Sequence, residues 1–240
     1  SCGKNTEEKK TCFNSSSVIN GKVVKKSPES IGLKNSCGES IEIEKSFPAI
    51  VSLRTSKGIC TGTFINDYTV LTAAHCFSNG FDVDENGQVD VAVSVSVEDI
   101  KAVSTQVIIN PKFYQEGLNY NYDSALVFVP RGTAKMSIPM YEGELKVDDR
   151  VYSVGFGNNR KFKGKFVGSG IKRWGENVIS GFNKDVVMFE GTSVDTQSGV
   201  DVSLGAGDSG GPLLFKNKVI GIASNVHQLE RFYSRYVRVD

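Results

Sequence analysis

The sequence predicts an all-β protein, and three observations support this fold class. Apolar residues alternate with small or polar residues in many short runs, a pattern typical of half-buried strands. Turn-forming sequences such as Glu85-Asn86-Gly87 and Asn110-Pro111 separate these runs. No segment keeps a helical apolar period over three turns, so a parallel sheet with crossover helices is not expected. Many short strands instead indicate sandwiches or barrels.

The individual strands follow from the alternation. It is most regular at Val91–Val97, where the valines share one face and Ala92, Ser94 and Ser96 occupy the other. Shorter apolar runs predict further strands at Ile50–Leu53, Thr63–Ile65, Val103–Ile109, Ala125–Val129, Val151–Val154, Val186–Phe189, Leu213–Phe215 and Val219–Ala223.

The chain is expected to fold as two β lobes joined near its middle. The stretch Pro130–Leu145 holds two prolines and two glycines and shows little alternation, which favours a connection. The first 17 residues are too hydrophilic to fold alone. We therefore divide the chain into a polar prosegment or tether at 1–17, a first lobe at 18–130, and a linker with a second lobe at 131–240.

The composition excludes several function classes. The 240 residues are 39% hydrophobic, enough for a substantial core, and 28 Lys and Arg nearly balance 27 Asp and Glu. No overall field therefore attracts nucleic acid or an anionic membrane. No run of 18 or more apolar residues occurs, so no transmembrane helix is predicted. No signal sequence opens the chain, so we expect a processed form.

A glycine-dense turn, Gly207-Asp208-Ser209-Gly210-Gly211-Pro212, is the first candidate site. Glycines let backbone N–H groups point outward, and two amides aimed at one point form an oxyanion hole. A serine hydroxyl beside them can attack a carbonyl group whose oxygen they hold. Taken alone, a Gly-Ser-Gly tripeptide is usually only a turn.

Two further residues supply the chemistry that this serine needs. His75, one of two histidines, ends the apolar run Val70–Ala74, and imidazole is suited to deprotonate a hydroxyl near neutral pH. Asp123 lies just before the apolar strand Ala125–Val129. Burying an acid there costs free energy unless it has a charged or hydrogen-bonding neighbour. An aspartate that accepts a hydrogen bond from the second imidazole nitrogen would complete a catalytic set of serine, histidine and aspartate.

Three motifs resemble the signatures of the trypsin/chymotrypsin family of serine proteases, in the family's order. They are Thr-Ala-Ala-His-Cys ending at Cys76, Asn-Tyr-Asp-Ser-Ala-Leu around Asp123, and the glycine-dense turn. The separations of 48 residues from His75 to Asp123 and 86 from Asp123 to Ser209 also fit. The similarity extends from about Phe47 to about Val237. It implies a chymotrypsin-like fold of two antiparallel Greek-key β-barrels, with the active site in the cleft between them.

The resemblance implies a role for each matched residue. Ser209 would be the nucleophile, His75 the general base and then acid, and Asp123 the group that orients the imidazole. The backbone N–H groups of Gly207 and Ser209 would form the oxyanion hole.

The five cysteines predict disulfides and an oxidising, extracytoplasmic compartment, because their spacing matches no zinc site. Cys60 and Cys76 resemble the family disulfide that secures the histidine loop. Cys12 with Cys37 is then the simplest second pair, which leaves Cys2. A small residue followed by cysteine resembles the start of a bacterial lipoprotein, so Cys2 carries a lipid or is an unpaired thiol, and both interpretations stay open.

The substrate pocket is predicted from the same alignment. Its base falls on Ser203, where trypsin-like enzymes have an aspartate, so cleavage after Lys or Arg is not expected. Its walls fall on Ser224-Asn225-Val226 and on Arg231, where the family usually has glycine. A guanidinium there would favour Asp or Glu before the scissile bond. If Arg231 turns to solvent, the pocket is apolar instead.

Activation is predicted to involve a new N-terminus. Family members commonly expose an Ile or Val whose ammonium group pairs with the aspartate before the nucleophile, here Asp208. The best match to such a start is Val18-Ile19-Asn20-Gly21, although Ser17 is not a trypsin-like cleavage site. We therefore expect the intact chain to be a zymogen, or to satisfy Asp208 through another internal donor.

The predicted function is a serine endopeptidase that acts as a monomer on protein or peptide substrates, with no metal or cofactor and no nucleic acid partner. A membrane association is expected only through a lipid on Cys2. A catalytically inactive binding protein on the same scaffold is the alternative, although no triad residue is missing. Asp82–Asp90 resembles part of a calcium loop, but Val93 stands where a glutamate is required, so a hairpin tip is the preferred interpretation.

Overall fold

A computed structural model describes residues 22–23, 33–34, 37, 39–41, 43–78, 81–115, 117–158, 160–162, 165–191, 203–228 and 232–239. The helices are short: α1 (His75–Ser78), α2 (Pro111–Gln115), and 3-10 helices at Ile43–Ala49 and Tyr120–Tyr122. The strands are β1 (Lys22–Val23), β2 (Leu33–Lys34), β3 (Ser40–Ile41), β4 (Ile50–Thr55), β5 (Gly58–Phe64), β6 (Thr69–Thr72), β7 (Ser94–Val97), β8 (Ile100–Val103), β9 (Gln106–Ile109), β10 (Ala125–Phe128), β11 (Arg150–Gly155), β12 (Arg160–Phe162), β13 (Lys165–Val167), β14 (Arg173–Val178), β15 (Gly181–Phe182), β16 (Val186–Gly191), β17 (Pro212–Phe215), β18 (Lys218–Gln228) and β19 (Phe232–Arg238).

The first lobe is a seven-stranded antiparallel sheet in the order β8-β7-β4-β5-β6-β10-β9. Its core forms on the face predicted by the alternation: Val93, Val95 and Val97 are at most 4% exposed. Ala125 and Val127 of β10 are buried in the same way, while Leu126 and Phe128 are partly exposed. This lobe carries His75 and Asp123.

The second lobe is an eight-stranded antiparallel sheet in the order β1-β14-β11-β17-β18-β19-β16-β15. A second apolar cluster lies in this lobe, with Phe189, Leu213 and Tyr236 fully buried. Strand β1 lies far from the rest of this sheet in sequence, yet Lys22 pairs with Trp174 of β14. Lys22 and Val23 therefore join the sheet of the second lobe. Two small sheets, β2-β3 and β12-β13, complete the described strands.

The predicted connection between the lobes contains no strand from residue 129 to residue 149, apart from one isolated bridge between Met140 and Val219. It first contacts the first lobe, where the amide of Ile138 donates to the carbonyl of Phe64. It then contacts the second lobe, where the amide of Tyr141 donates to the carbonyl of Val219.

Strand β14 was not predicted, because its sequence, Arg-Trp-Gly-Glu-Asn-Val, lacks alternation. The structure buries both its polar and its apolar residues, with Trp174 only 2% exposed. Glu176 forms an ion pair with Arg150 at 3.3 Å, and Arg173 donates to the Gly168 carbonyl at 2.6 Å. These partners offset the cost of burying charge, so polarity does not keep this strand at the surface.

The prediction of an all-β protein with two antiparallel lobes is confirmed. In the part of the chain that the structure describes, no helix has the length and apolar character needed to cross a membrane.

Candidate active site

The pairing of two strands in the first lobe brings His75 and Asp123 together. Strands β6 and β10 run antiparallel, with Thr72 opposite Ala125. His75 begins α1 three residues after β6 ends, and Asp123 lies two residues before β10 begins. Both side chains therefore project from the same end of the strand pair.

Asp123 is fully buried and accepts three hydrogen bonds. Its Oδ2 lies 2.7 Å from Nδ1 of His75, and its Oδ1 accepts the backbone N–H of His75 at 2.8 Å. The hydroxyl of Ser224, from the second lobe, donates to Oδ2 at 2.5 Å. The carboxylate thus fixes the imidazole by two contacts and is itself held from the opposite lobe.

Nε2 of His75 lies 2.8 Å from Oγ of Ser209. This contact completes a hydrogen-bonded chain from Asp123 through His75 to a serine hydroxyl. Asp123 lies 48 residues after His75 in the sequence, and Ser209 lies 134 residues after it. The ring nitrogen facing Asp123 can keep its proton, which leaves Nε2 free to accept one from Ser209.

The turn that carries Ser209 is fixed by close backbone packing against the first lobe. The Ser209 carbonyl accepts the amide of Thr61 at 2.8 Å, and the Thr61 hydroxyl donates to the Gly207 carbonyl at 2.9 Å. A Cβ at Gly210 would fall on the Thr72 hydroxyl and the Thr61 carbonyl. Only glycine fits at position 210 in this contact.

The amides predicted to form an oxyanion hole are available. Gly207 has φ of +100°, a conformation that L side chains rarely adopt. Among the described residues, neither the Gly207 nor the Ser209 amide N–H donates a hydrogen bond. Two unused backbone donors therefore flank the Ser209 hydroxyl, as oxyanion stabilisation requires.

Asp208, the residue before Ser209, is buried at 1% exposure. Its Oδ1 accepts the amide of Gly157 at 2.8 Å and its Oδ2 accepts the amide of Gly205 at 2.9 Å. Burial raises the pKa of Asp208 to about 6, although both amides and the nearby Arg173 act in the opposite direction. Val18, the predicted source of an ammonium partner, lies outside the described residues.

One cavity of about 280 Å³ beside Ser209 is lined by Leu204, Gly205, Ala206, Ser209, Ser224, Asn225 and Val226. It contains the predicted pocket residues Ser224 and Val226. Ser203, the predicted base, is fully buried, and its hydroxyl has no hydrogen-bond partner among the described residues.

The strand register defines the residue opposite Val226. In the β18–β19 ribbon, Val226 pairs with Ser234, whose hydroxyl accepts the amide of Leu204 at 3.0 Å. Ser234 lies three residues after Arg231, the position that the sequence alignment assigned to this wall. Arg231 lies outside the described residues, and its role stays a prediction.

A second cavity, of about 310 Å³, lies on the other side of the catalytic residues. Its lining combines His75, Gly207 and Ser209 with Lys57, Ile59 and Phe77, among others. Ser209 therefore lies between two open spaces, which suits a chain that passes through the cleft and continues on both sides.

Sequence reasoning did not assign three contacts of this site. Thr61 links the lobes, since its hydroxyl also accepts the Phe156 amide at 3.0 Å. Ser224 was predicted as a pocket wall, and its hydrogen bond to Asp123 was not foreseen. The ring of Tyr120 lies 6.2 Å from the His75 ring. Thr61 directly follows Cys60, and that position next to the histidine-loop disulfide is the only sequence signal that could have identified it.

The predicted disulfide between Cys60 and Cys76 is present and ties β5 to α1 directly beside His75. Sγ of Cys37 lies 3.4 Å from Arg150 Nη2. The predicted partner Cys12 and the predicted lipid site Cys2 both lie outside the described residues.

Across the described ranges, no three His, Cys, Asp or Glu side chains cluster in a way that could hold a metal ion.

Comparisons with known proteins agree with this geometry. The family model named Trypsin matches residues 37–240. A serine protease from Anopheles gambiae, SP24D, is 28% identical over 197 residues, covering 78% of this chain and 70% of that protein. An uncharacterized peptidase from Corynebacterium glutamicum is 26% identical over 179 residues, covering 73% of this chain. The chain spans only 56% of that relative's length.

The solved structure of neuropsin, a serine protease expressed in the limbic system of mouse brain, superimposes with a TM-score of 0.61 at 20% identity. The match covers 84% of this chain and 92% of neuropsin, so it supports the fold of both lobes. Since the family model spans most of the sequence, the chain belongs to the trypsin family of trypsin/chymotrypsin-like serine proteases.

Proposed function

We propose that the chain is a serine endopeptidase that cleaves peptide bonds through an acyl-enzyme on Ser209. The observation that carries this proposal is the hydrogen-bonded chain from Asp123 through His75 to Ser209, beside two unused backbone amides. Family membership supports the same reaction class.

In the first half of the reaction, Ser209 Oγ attacks the carbonyl carbon of the scissile bond while His75 Nε2 takes the hydroxyl proton. The carbonyl oxygen becomes an oxyanion and accepts hydrogen bonds from the amides of Gly207 and Ser209. Asp123 stabilises the imidazolium because its carboxylate already lies 2.7 Å from Nδ1.

In the second half, His75 gives its proton to the departing amine, the C–N bond breaks, and an ester to Ser209 remains. Water then donates a proton to His75 Nε2 and attacks the ester carbonyl, and the proton returns to Ser209 Oγ as the acid leaves. The open spaces on both sides of Ser209 let the two product segments leave separately.

A fluorogenic peptide library tests this proposal. We expect the wild-type protein to hydrolyse internal peptide bonds and Ser209→Ala to lose that activity. Ser180→Ala is the matched control, because Ser180 is exposed and its hydroxyl donates to the Met188 carbonyl at 3.3 Å, with no other hydrogen bond among the described residues. Retained hydrolysis in Ser209→Ala, or no hydrolysis by any wild-type preparation, would contradict the proposal and favour a binding protein on this scaffold.

We propose further that the residue before the scissile bond, P1, is not Lys or Arg. The neutral side chains of Ser203, Val226 and Ser234 support a small or medium-sized uncharged P1 residue, since Val226 and Ser234 stand opposite each other across the ribbon. An acidic P1 residue bound by Arg231 is the alternative. P1 profiling of wild type and Arg231→Gly separates them, because only the alternative predicts that Arg231→Gly loses activity on Glu and Asp.

The activation proposal rests on Asp208. Its carboxyl group is buried and carries a raised pKa, so a cationic partner would stabilise its charged form. Lys22 and Val23 pair with Trp174 and Arg173 of β14, and the Arg173 guanidinium lies near Asp208. We infer that cleavage before Val18 supplies an ammonium group to Asp208. An active preparation that contained only intact chain by mass spectrometry would overturn this step.

The remaining proposals concern setting and partners. The disulfide beside His75 supports an oxidising, extracytoplasmic location, with a lipid on Cys2 as the only membrane link. The substrates are proteins or peptides, and the enzyme acts as a monomer. Metabolic labelling with a fatty acid tests the lipid, and light scattering tests the monomer.

A further inference from the structure

Strand β18 has a free edge next to the catalytic residues. Its first half, up to Ile222, pairs with β17, and Ala223 exchanges backbone hydrogen bonds with Gly210 and Gly211. From Asn225 to Gln228 it pairs only with β19 among the described strands. Since Ser224, Asn225 and Val226 line the cavity at Ser209, this edge faces the cleft. An extended peptide can add to such an edge as a further strand.

The two faces of the β18–β19 ribbon differ in charge. Side chains alternate along a strand, so Val226 faces one side while Asn225 and His227 face the other. Val226 and its partner Ser234 make the first face neutral. Asn225 pairs with Arg235, so the guanidinium lies on the face of Asn225 and His227.

Arg235 has only neutral partners among the described residues. Its Nη2 donates to Oδ1 of Asn121 at 2.9 Å, and its Nη1 lies 3.3 Å from Nε2 of His227. No carboxylate of the described ranges forms an ion pair with it. Arginine has five N–H donors, so this partly buried cation keeps unused donors beside the cleft.

The surroundings of Arg235 connect it to the catalytic residues. Asn121 lies two residues before Asp123, and its neighbour Tyr120 packs 6.2 Å from the His75 ring. Oδ1 of Asn225, on the same face, is buried without a hydrogen-bond partner among the described residues. A substrate side chain on this face would therefore meet the Arg235 guanidinium.

We propose that Arg235 is a specificity-determining residue that binds a substrate carboxylate at P2 or P4. P2 and P4 are the second and fourth residues before the scissile bond, and P1 is the first. This inference rests on the proposed endopeptidase function. When P1 enters the neutral cavity, strand alternation turns P1 and P3 to the Val226 face and turns P2 and P4 to the Arg235 face. The enzyme then prefers Asp or Glu at an even-numbered position, whereas its P1 pocket stays neutral.

Matched tetrapeptide substrates test this inference. They share the P1 residue that the library identifies and differ only by Glu or Gln at P2, P3 or P4. We expect kcat/KM of wild type to be about tenfold higher for Glu than for Gln at P2 or P4, because charge-assisted hydrogen bonds to a carboxylate are strong, and about equal at P3. Raising the salt concentration should reduce the preference.

Arg235→Gln is expected to bring the Glu-to-Gln ratio close to one, and Arg235→Lys to keep part of it. Arg238→Gln, on the same strand and donating to the Asn183 carbonyl at 2.9 Å, is the matched control and should keep the wild-type ratio. Fluorophosphonate labelling of Ser209 in each variant checks that the site is folded.

Three outcomes would overturn the inference. They are a wild-type ratio of one at both P2 and P4, a preference at P3 alone, and a preference that survives in a labelled Arg235→Gln protein. Each leaves the endopeptidase proposal standing, because hydrolysis of the Gln peptides is measured in the same assay. If wild type cleaves none of the peptides and does not label, the proposed function itself fails and this inference fails with it.

Discussion

In the first lobe, His75 and Asp123 stand at the ends of two paired strands whose side chains fill an apolar core, whereas in the second lobe Ser209 stands on a turn beside a buried carboxyl group. Strand pairing fixes the base and its orienting acid, and among the described residues of this lobe Asp123 is the only buried charged side chain. The residue before the nucleophile, Asp208, instead has a buried carboxyl group held by two amides. We therefore expect the first lobe to depend on packing, and the second lobe to respond to the protonation of Asp208 and to a cationic partner.

Asp123→Asn tests what the first lobe contributes to catalysis. In Asp123→Asn the amide can no longer fix the productive imidazole tautomer, and we expect kcat to fall about 10⁴-fold. Steady-state kinetics on the best library peptide measures the loss. Asp99→Asn is the control, since Asp99 is exposed and forms its ion pair with Lys135 at the surface. A loss below tenfold would show that Asp123 does not orient His75.

The contribution of the second lobe should depend on pH. The folded carboxyl of Asp208 keeps its proton up to about pH 6, against an ordinary pKa of 3.8, so the folded state holds more protons between these values. Stability from this group therefore falls as pH rises from 4 to 7, by about 3 kcal/mol in total. Denaturant unfolding of the intact chain, relative to Asp208→Asn, measures it.

The opposite slope would be equally informative. If wild type gains stability over Asp208→Asn as pH rises, the carboxylate has a cationic partner in the intact chain. That result would contradict the proposal that cleavage before Val18 supplies the partner. Repeating the measurement on protein that begins at Val18 should reverse the slope, because an ammonium partner lowers the pKa of Asp208.

The Thr61 hydrogen bonds that link the lobes are expected to contribute less to the free energy of unfolding. Thr61→Val leaves the Phe156 amide and the Gly207 carbonyl without their buried partner, which should lower the free energy of unfolding by about 2 kcal/mol. Thr63→Val on the same strand is the matched control, because the Thr63 hydroxyl is buried without a partner among the described residues. Equal losses in the two variants would show that the Thr61 hydrogen bonds do not join the lobes.

The smallest effect is expected at Ser224, where the second lobe touches Asp123. Ser224→Ala removes one hydrogen bond to a charged group and leaves the other two to Asp123, so kcat should fall about tenfold. Ser180→Ala is again the control. An unchanged kcat would show that the contact between the lobes at Asp123 serves only packing.

Much of this arrangement was predictable from local patterns. The alternation predicted the strands around Val95 and Val127. The three motifs predicted that His75, Asp123 and Ser209 belong to one site. Strand β14 was missed because its buried charges are offset by partners distant in sequence, such as Arg150 for Glu176. Residue spacing cannot show such partners.

The pocket shows a second limit of sequence reasoning. Motif alignment could not indicate which residues face each other across the β18–β19 ribbon, where Val226 pairs with Ser234 and Asn225 with Arg235. Register depends on long-range pairing and on the irregularity between Ala223 and Asn225, which no local signal marks. Arg231 lies outside the described residues, so its role in the pocket stays a prediction.

The most direct test of the account is covalent labelling by a fluorophosphonate probe, with the modified residue located by mass spectrometry. The account predicts one adduct per active molecule, on Ser209, formed quickly in wild type at neutral pH and lost in His75→Ala and in Ser209→Ala. The same rate of labelling in His75→Ala, or an adduct on another serine, would contradict the claim that His75 activates Ser209.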